Sequence, residues 1–189
     1  MKLLFLLLLS APVFLQAQDS TDYFLKNRCK VAVDGSGEAL GVKVNYSSPC
    51  LWTKETGTQP DMIRVFKHDT GNGVIVSNLI VRDLGVVLQQ SDMDEFFSES
   101  TLEQMAGQIG SLITAKVLQI DGRPCGEVKL TTQAEGSPKL YHAFYYFIVG
   151  DKMIVKSYSV TAANSARTEE LFNVYQGMFA KLADTVKFE

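Results

Sequence analysis

The sequence predicts an α+β fold with a mainly antiparallel sheet. Three observations carry that prediction. Apolar and polar residues alternate with period two in runs joined by short Gly-, Asp- and Asn-rich turns, the pattern of hairpins rather than crossovers. Two segments, beginning at Ser91 and Asn164, repeat their apolar residues at helical spacing instead. The resulting order of strands, helix, strands, helix supplies one amphipathic cover for each face of a sheet.

Residues 29–33 and 39–46 read as strands on either side of the turn-rich "DGSGE". In the second, Leu40, Val42, Val44 and Tyr46 alternate with Gly41, Lys43 and Asn45, which gives one buried face. Pro49 of "SSPCLW" ends the run because it has no N–H to donate, and Trp52 follows as a large apolar plug. Residues 62–67 and 74–82 pair across "HDTGNG", a loop rich in residues that accept positive φ. Ser91 then reads as a helix cap, with Asp92, Asp94 and Glu95 suited to the positive end of the helix. Leu102, Met105, Ile109 and Leu112 continue at helical spacing, and "SEST" at residues 98–101 bends or splits the helix. Residues 115–120 and 127–132 read as strands around "DGRPCG", and "QAEGSPK" leads on to the next pair.

That pair is "LYHAFYYFIVGDKMIVKSYSVTA", residues 140–162. Gly150-Asp151 fits a two-residue turn, because Gly takes the positive φ of the first position. The register follows: Val149 faces Lys152, Phe147 faces Ile154, Tyr145 faces Lys156 and Ala143 faces Tyr158. On the other side Ile148 meets Met153, Tyr146 meets Val155, Phe144 meets Ser157 and His142 meets Ser159. A half-exposed antiparallel strand is polar at every second position, and the first strand of this hairpin is apolar on both sides. Each ring buries roughly 150–250 Å², at about 25 cal/mol per Å², so exposing these rings would remove much of a domain's stability. The hairpin is therefore read as interior scaffold. The competing reading is a partly exposed aromatic surface with the Tyr145 and Tyr158 hydroxyls at its rim. The chain closes on a helix whose stripe is Leu171, Val174, Tyr175, Met178 and Leu182, widened by Phe172 and Phe179.

The N-terminus has the layout of a secretory signal peptide over residues 1–17: Lys2, an apolar run from Leu3 to Leu9, and small Ala17 before polar Gln18. A membrane anchor needs roughly 20 apolar residues, and this run is short and carries Pro12, so no stable membrane insertion is expected. Cleavage after Ala17 leaves residues 18–189 as one globular α+β domain, secreted or periplasmic, with 17 Lys+Arg against 21 Asp+Glu. That mildly acidic balance gives no handle on nucleic acid or anionic lipid. Cys29, Cys50 and Cys125 then meet an oxidising compartment, where one disulfide and one free thiol is the simplest outcome. Three pairings are open, and Cys29 with Cys50 is preferred because both lie in the N-terminal strand region. The remaining thiol reads as a small buried hydrophobe before it reads as a nucleophile.

Taken together, "VNYSSPCLW", the strand pair after it, the "SDMDEFF…LEQM" helix, and "YYFIVGDKMIVKSYSV" running into "LFNVYQGMFAKL" resemble the PsbP-like superfamily. That superfamily is named for the extrinsic photosystem II protein and shared with a Ran-binding nuclear import factor. The resemblance spans roughly residues 39–188 and implies an α-β-α sandwich around the antiparallel sheet. It also implies binding or assembly work rather than catalysis.

Chemistry-bearing motifs are few. His68 sits beside Asp69 in a loop, where a metal or catalytic role competes with a solvated turn. His142 reads as a hydrogen-bonded sheet residue opposite Ser159. A Cys-His nucleophile would need Cys125 or Cys50 beside one of these rings, and no local signature supports it. The "SDMDE" carboxylates lack a calcium-loop pattern, and "GSGEALG" lacks the strand-turn-helix context of a phosphate cradle. No catalytic, cofactor-binding or metal-binding residue is expected. The leading reading is a non-enzymatic binding or assembly module whose partner meets a surface rimmed by Trp52, His68, Tyr145 and Tyr158. Its partner is a protein or a small apolar ligand, not nucleic acid. The alternatives are a small thiol- or histidine-dependent hydrolase and a carrier of an apolar ligand lodged between helix and sheet.

Overall fold

Gly150 takes φ +61° and folds the chain back on itself in the middle of the molecule. The structure is a computed structural model that describes residues 21–189, so the leader expected at residues 1–17 lies outside the described residues. In chain order the strands are β1 (Arg28–Asp34), β2 (Lys43–Pro49), β3 (Thr53–Glu55), β4 (Met62–Asp69) and β5 (Gly73–Asp83). They continue as β6 (Ser111–Ile120), β7 (Arg123–Thr132), β8 (Leu140–Val149), β9 (Lys152–Ala162) and β10 (Lys187–Phe188). Residues 21–26 form a helical segment, α1. Three further helices are α2 (Gln90–Phe96), α3 (Glu99–Ile109) and α4 (Ser165–Ala183).

The fold is α+β, and all the strand pairs are antiparallel. A seven-stranded sheet runs β3-β4-β5-β9-β8-β7-β6, with β9 at its centre. β8 and β9 pair in the expected register, from Val149 with Lys152 to His142 with Ser159. A smaller sheet, β1-β2-β10, brings the two ends of the described chain together on β2.

Each face of the large sheet has its own cover. α4 starts at Asn164, whose side chain accepts the Arg167 N–H at 2.9 Å. It buries Leu171, Phe172, Tyr175, Met178, Phe179 and Leu182, and Phe179 stacks on Tyr158 with ring centroids 4.6 Å apart. The small sheet extends this cover with Val33, Val44 and Tyr46, which join the same core. On the opposite face α3 buries Leu102 and Ala106 against Val128, Leu130, Tyr146 and Val155. Gly126 makes that approach possible, since a Cβ there would lie 2.7 Å from a Leu102 methyl.

The segment after Ser91 departs from expectation in two ways. Its first helix is capped by Gln89 rather than Ser91, because Asp92 reaches back to accept the Gln89 N–H at 3.0 Å. Ser98 then caps a second helix by accepting the Thr101 N–H at 3.2 Å, so the chain splits there. Leu112 leaves the helical stripe, since α3 ends at Gly110 and β6 has already begun at Ser111. Leu40 also leaves its predicted buried face. It takes φ +51° after a 3-10 turn at Gly37–Ala39 and is 43% exposed.

A disulfide joins Cys29 of β1 to Cys50 just past β2, leaving Cys125 free and buried. The bridge spans a sequence separation of 21 residues. Closing a loop of that length stabilises the fold by about 3 kcal/mol on chain-entropy grounds. The paired substitution Cys29→Ser with Cys50→Ser is therefore expected to lower unfolding free energy by about that amount. A urea titration of the variant against the oxidised parent measures it.

Candidate functional site

The four sequence candidates separate into two places. Tyr145 on β8 and Tyr158 on β9 face α4 and are 0% and 1% exposed. They fill the core and form no rim, which corrects their expected place at a partner surface: central strands under a full-length helix leave their rings no route to solvent. Trp52 and His68 do come together. Their rings stack 5.8 Å apart with an interplanar angle of 3°, and the Phe24 ring of α1 meets His68 edge-on at 4.8 Å. Trp52 is buried at 4% and His68 is half-buried, so the tryptophan supports this corner from below.

Two large apolar residues of the segments beside that stack are exposed. Leu51, in the turn after the disulfide, is 63% exposed, and Tyr23 of α1 is 49% exposed. Asn27 ties the two segments together. Its side-chain amide donates to the Tyr23 carbonyl at 2.9 Å, and its own carbonyl accepts the Cys50 N–H at 3.0 Å. Sequence reading found Trp52 and His68 by residue type. It missed Tyr23 and Leu51, because only the fold shows which apolar residues remain outside.

The reactive groups are placed apart and locked. His142 is held by two hydroxyls, with Nε2 2.9 Å from Thr132 Oγ1 and Nδ1 2.8 Å from Ser159 Oγ. Burial pulls its pKa down to about 4. Burial also lowers the pKa of His68, partly opposed by Asp69. Cys125 is fully buried in the α4-side core, and burial, then the Glu127 charge, push its thiol far up. His142 lies on the other face, opposite core residue Leu130. His68 on β4 is four strands away from Cys125 on β7, roughly 19 Å at about 4.8 Å per strand. The thiol-histidine pair that a hydrolase would use is not assembled. Asp92 and Asp94 are engaged by Gln89 and Gln90, and among the described residues no cluster of three or more His, Cys, Asp or Glu is placed to hold a metal.

Beneath α4 and the small sheet lies a polar row, exposed at Lys116 and buried from Glu127 to Lys156, that sequence reading did not single out. Lys116, Glu127, Tyr145 and Lys156 are successive register partners across β6, β7, β8 and β9. Lys116 Nζ is 3.0 Å from the Glu127 carboxylate, which is 1% exposed. Lys156, also 1% exposed, has no carboxylate partner among the described residues. Its amine donates to Ser77 Oγ at 2.5 Å and lies 4.5 Å from the Tyr46 ring centroid and 5.0 Å from that of Tyr158. Burial brings its pKa down to about 7. The signal was present, since Lys156 is the one charge between Met153 and Ala162 and sits opposite Tyr145.

A groove of about 410 Å³ runs between α1 and α4, lined in part by Leu25, Val174, Met178 and Lys181. Directly between α4 and the sheet, ring contacts such as Phe179 on Tyr158 and Phe172 on Tyr141 fill the space that an interlayer carrier would need. Among the described residues no helix is long and apolar enough to cross a membrane.

No protein-family model matches the sequence, and no curated protein matches it. Solved structures do. Cyanobacterial PsbP (CyanoP) from Synechocystis superposes with a TM-score of 0.51 at 16% identity, over 86% of this chain and 93% of its own. LpqN, involved in cell envelope biogenesis of Mycobacterium tuberculosis, gives 0.50 at 11% identity, over 88% and 95%. The Saccharomyces cerevisiae Ran-binding protein Mog1p gives 0.48 at 13% identity, over 85% and 95%.

Two titrations test the buried groups. Unfolded lysine holds its proton up to about 10.5, whereas folded Lys156 releases it near 7. Between those values the unfolded state binds more protons, so stability rises with pH through this window. Lys156→Met should stabilise the protein by roughly 1–4 kcal/mol at pH 6.5. It should also flatten the rise between about pH 7 and 9.5 in thermal melts. For His142 the folded pKa lies below the unfolded one. Its contribution is complete above about pH 6.5 and is lost as pH falls toward about 4. The His142 ring signal in a proton NMR titration should accordingly shift with a midpoint near 4.

Proposed function

We propose that this chain, which carries the PsbP-like fold, is a non-enzymatic binding or assembly module working outside the cytosol. The supporting observation is a division of labour in the side chains. The nucleophilic and basic groups Cys125, His142 and Lys156 are buried or bracketed, while Leu51 and Tyr23 are exposed on segments that Asn27 ties together beside the Trp52–His68 stack. An exposed apolar pair on a disulfide-fixed corner, rimmed by half-buried His68, suits a protein partner. The disulfide supports an oxidising compartment. The signal-like N-terminus points the same way, as does the envelope role of LpqN, which shares the fold.

The double variant Tyr23→Ser with Leu51→Asp removes the apolar contact while leaving the core untouched. Crosslinking the oxidised protein to an envelope extract should capture a discrete partner. The variant should recover it at least about tenfold less well, with an unchanged melting temperature. Equal recovery by both proteins would place the contact elsewhere, and no partner from any extract would count against a binding module altogether.

A further inference from the structure

The large sheet has two unlike edges. At one, β3 is three residues long, too short to template another strand. At the other, β6 runs for ten residues and, among the described residues, pairs only with β7. Proteins usually blunt an open edge of that length with Pro, charges or bulges. β6 contains no Pro, and its single charge, Lys116, is drawn toward Glu127. One bulge, between Leu112 and Thr114, leaves residues 114–120 in regular register. Beside this free edge Ile109, Leu112 and Ile113 are 49%, 39% and 44% exposed. They are three of the eight large apolar residues exposed among the described residues, and they fall within five positions. Scattered exposed aliphatics are ordinary, but a cluster at an open edge marks a contact.

Charge selects the occupant. Residues 83–115 contain Asp83, Asp92, Asp94, Glu95, Glu99 and Glu103 and no Lys, Arg or His. Of these six, only Asp83 has an ion pair among the described residues, with Lys152. Residues 21–189 hold 17 Lys+Arg and 20 Asp+Glu, a net of −3, so this one segment at −6 leaves +3 for the rest. α3, which carries Glu99 and Glu103, packs on β6 and β7 and therefore flanks the open edge. A second copy docked at β6 would bring two such acidic covers together, and an anionic lipid surface would be repelled.

We propose that β6 is a second docking edge, which takes an extended segment of another protein, alternating aliphatic with Lys or Arg side chains, as an eighth strand. The free N–H and C=O groups of β6 supply the ladder. Ile109, Leu112 and Ile113 meet the aliphatic positions, and Glu99 and Glu103 meet the cations. This edge is distinct from the Tyr23–Leu51 corner and does not depend on it.

Fluorescence anisotropy with a labelled alternating Lys-Val decapeptide, on the oxidised protein, tests the proposal. Saturable binding with a Kd of about 10–100 μM is expected, weakening as salt rises. Glu99→Lys with Glu103→Lys, and separately Leu112→Ser with Ile113→Ser, should each weaken it about tenfold or more, with melting temperatures confirming that both variants fold. Amide exchange should slow at residues 114–119 when the peptide binds. An alternating Glu-Val decapeptide should bind at least about tenfold less tightly. Equal binding of the two peptides, or none by the Lys-Val peptide up to about 1 mM, overturns the proposal. So does a dimer in sedimentation that the Leu112→Ser, Ile113→Ser variant converts to monomer, because a second copy would then own the edge. Tyr23→Ser with Leu51→Asp should leave peptide binding unchanged, so failure here and failure at the other corner are read separately.

Discussion

The pairing of β8 with β9 governs the rest of the molecule. A turn at Gly150 fixes the register, and the register decides which side chains share a face. Tyr141, Ala143, Tyr145 and Phe147 join Ile154, Tyr158 and Val160 toward α4, while Tyr146 and Val155 face α3. A slip of one residue would exchange those sets and place Lys156 and Tyr145 under the shorter cover. Because both faces of this hairpin are apolar, it has to be central, and the remaining strands add outward from it. The long, ring-rich α4 covers one face of it, and the shorter α3, with Leu102 over Gly126, covers the other.

That arrangement also keeps the reactive side chains apart. The sheet separates Cys125 from His142 by face, and separates it from His68 by distance along the sheet. The amine of Lys156 has the depressed pKa often found at catalytic lysines, yet Tyr46, Tyr158 and Ser77 enclose it. Its perturbation is a by-product of closure by the small sheet. The exposed apolar side chains lie instead at a corner and along one edge of the large sheet.

Much of the fold was legible in the sequence because it is written in period. Residues 140–162 yielded turn, register and burial together, since alternation and the Gly-Asp turn agree. The final helix was equally clear from Leu171, Tyr175, Met178 and Leu182. Legibility failed where local chemistry competed. Gln89 displaced Ser91 as cap because a carboxylate three positions on suits either donor. Leu40 broke its alternation because the 3-10 turn before it used up the strand's first residues. The candidate surface was half legible. Trp52 and His68 stood out by type, but whether a ring is a rim or a plug depends on what crosses above it. For Trp52 and His68 that element is α1, and for Tyr145 and Tyr158 it is α4.

The cover on the α3 side is uneven in a way that bears on motion. α2 has two acceptable ends, yet no residue of it is fully buried, whereas α3 directly after it seals Leu102 and Ala106 completely. The free energy of opening a segment scales with the apolar area it exposes. α2 is therefore expected to open more cheaply than α3, lifting and resettling many times for each opening of the central hairpin. Its amides would lose protection long before those of β8 and β9. Such excursions would transiently uncover Phe96 and its neighbours without disturbing the disulfide-fixed corner, so the molecule pairs a restless flap on one face with a rigid clasp at the other end.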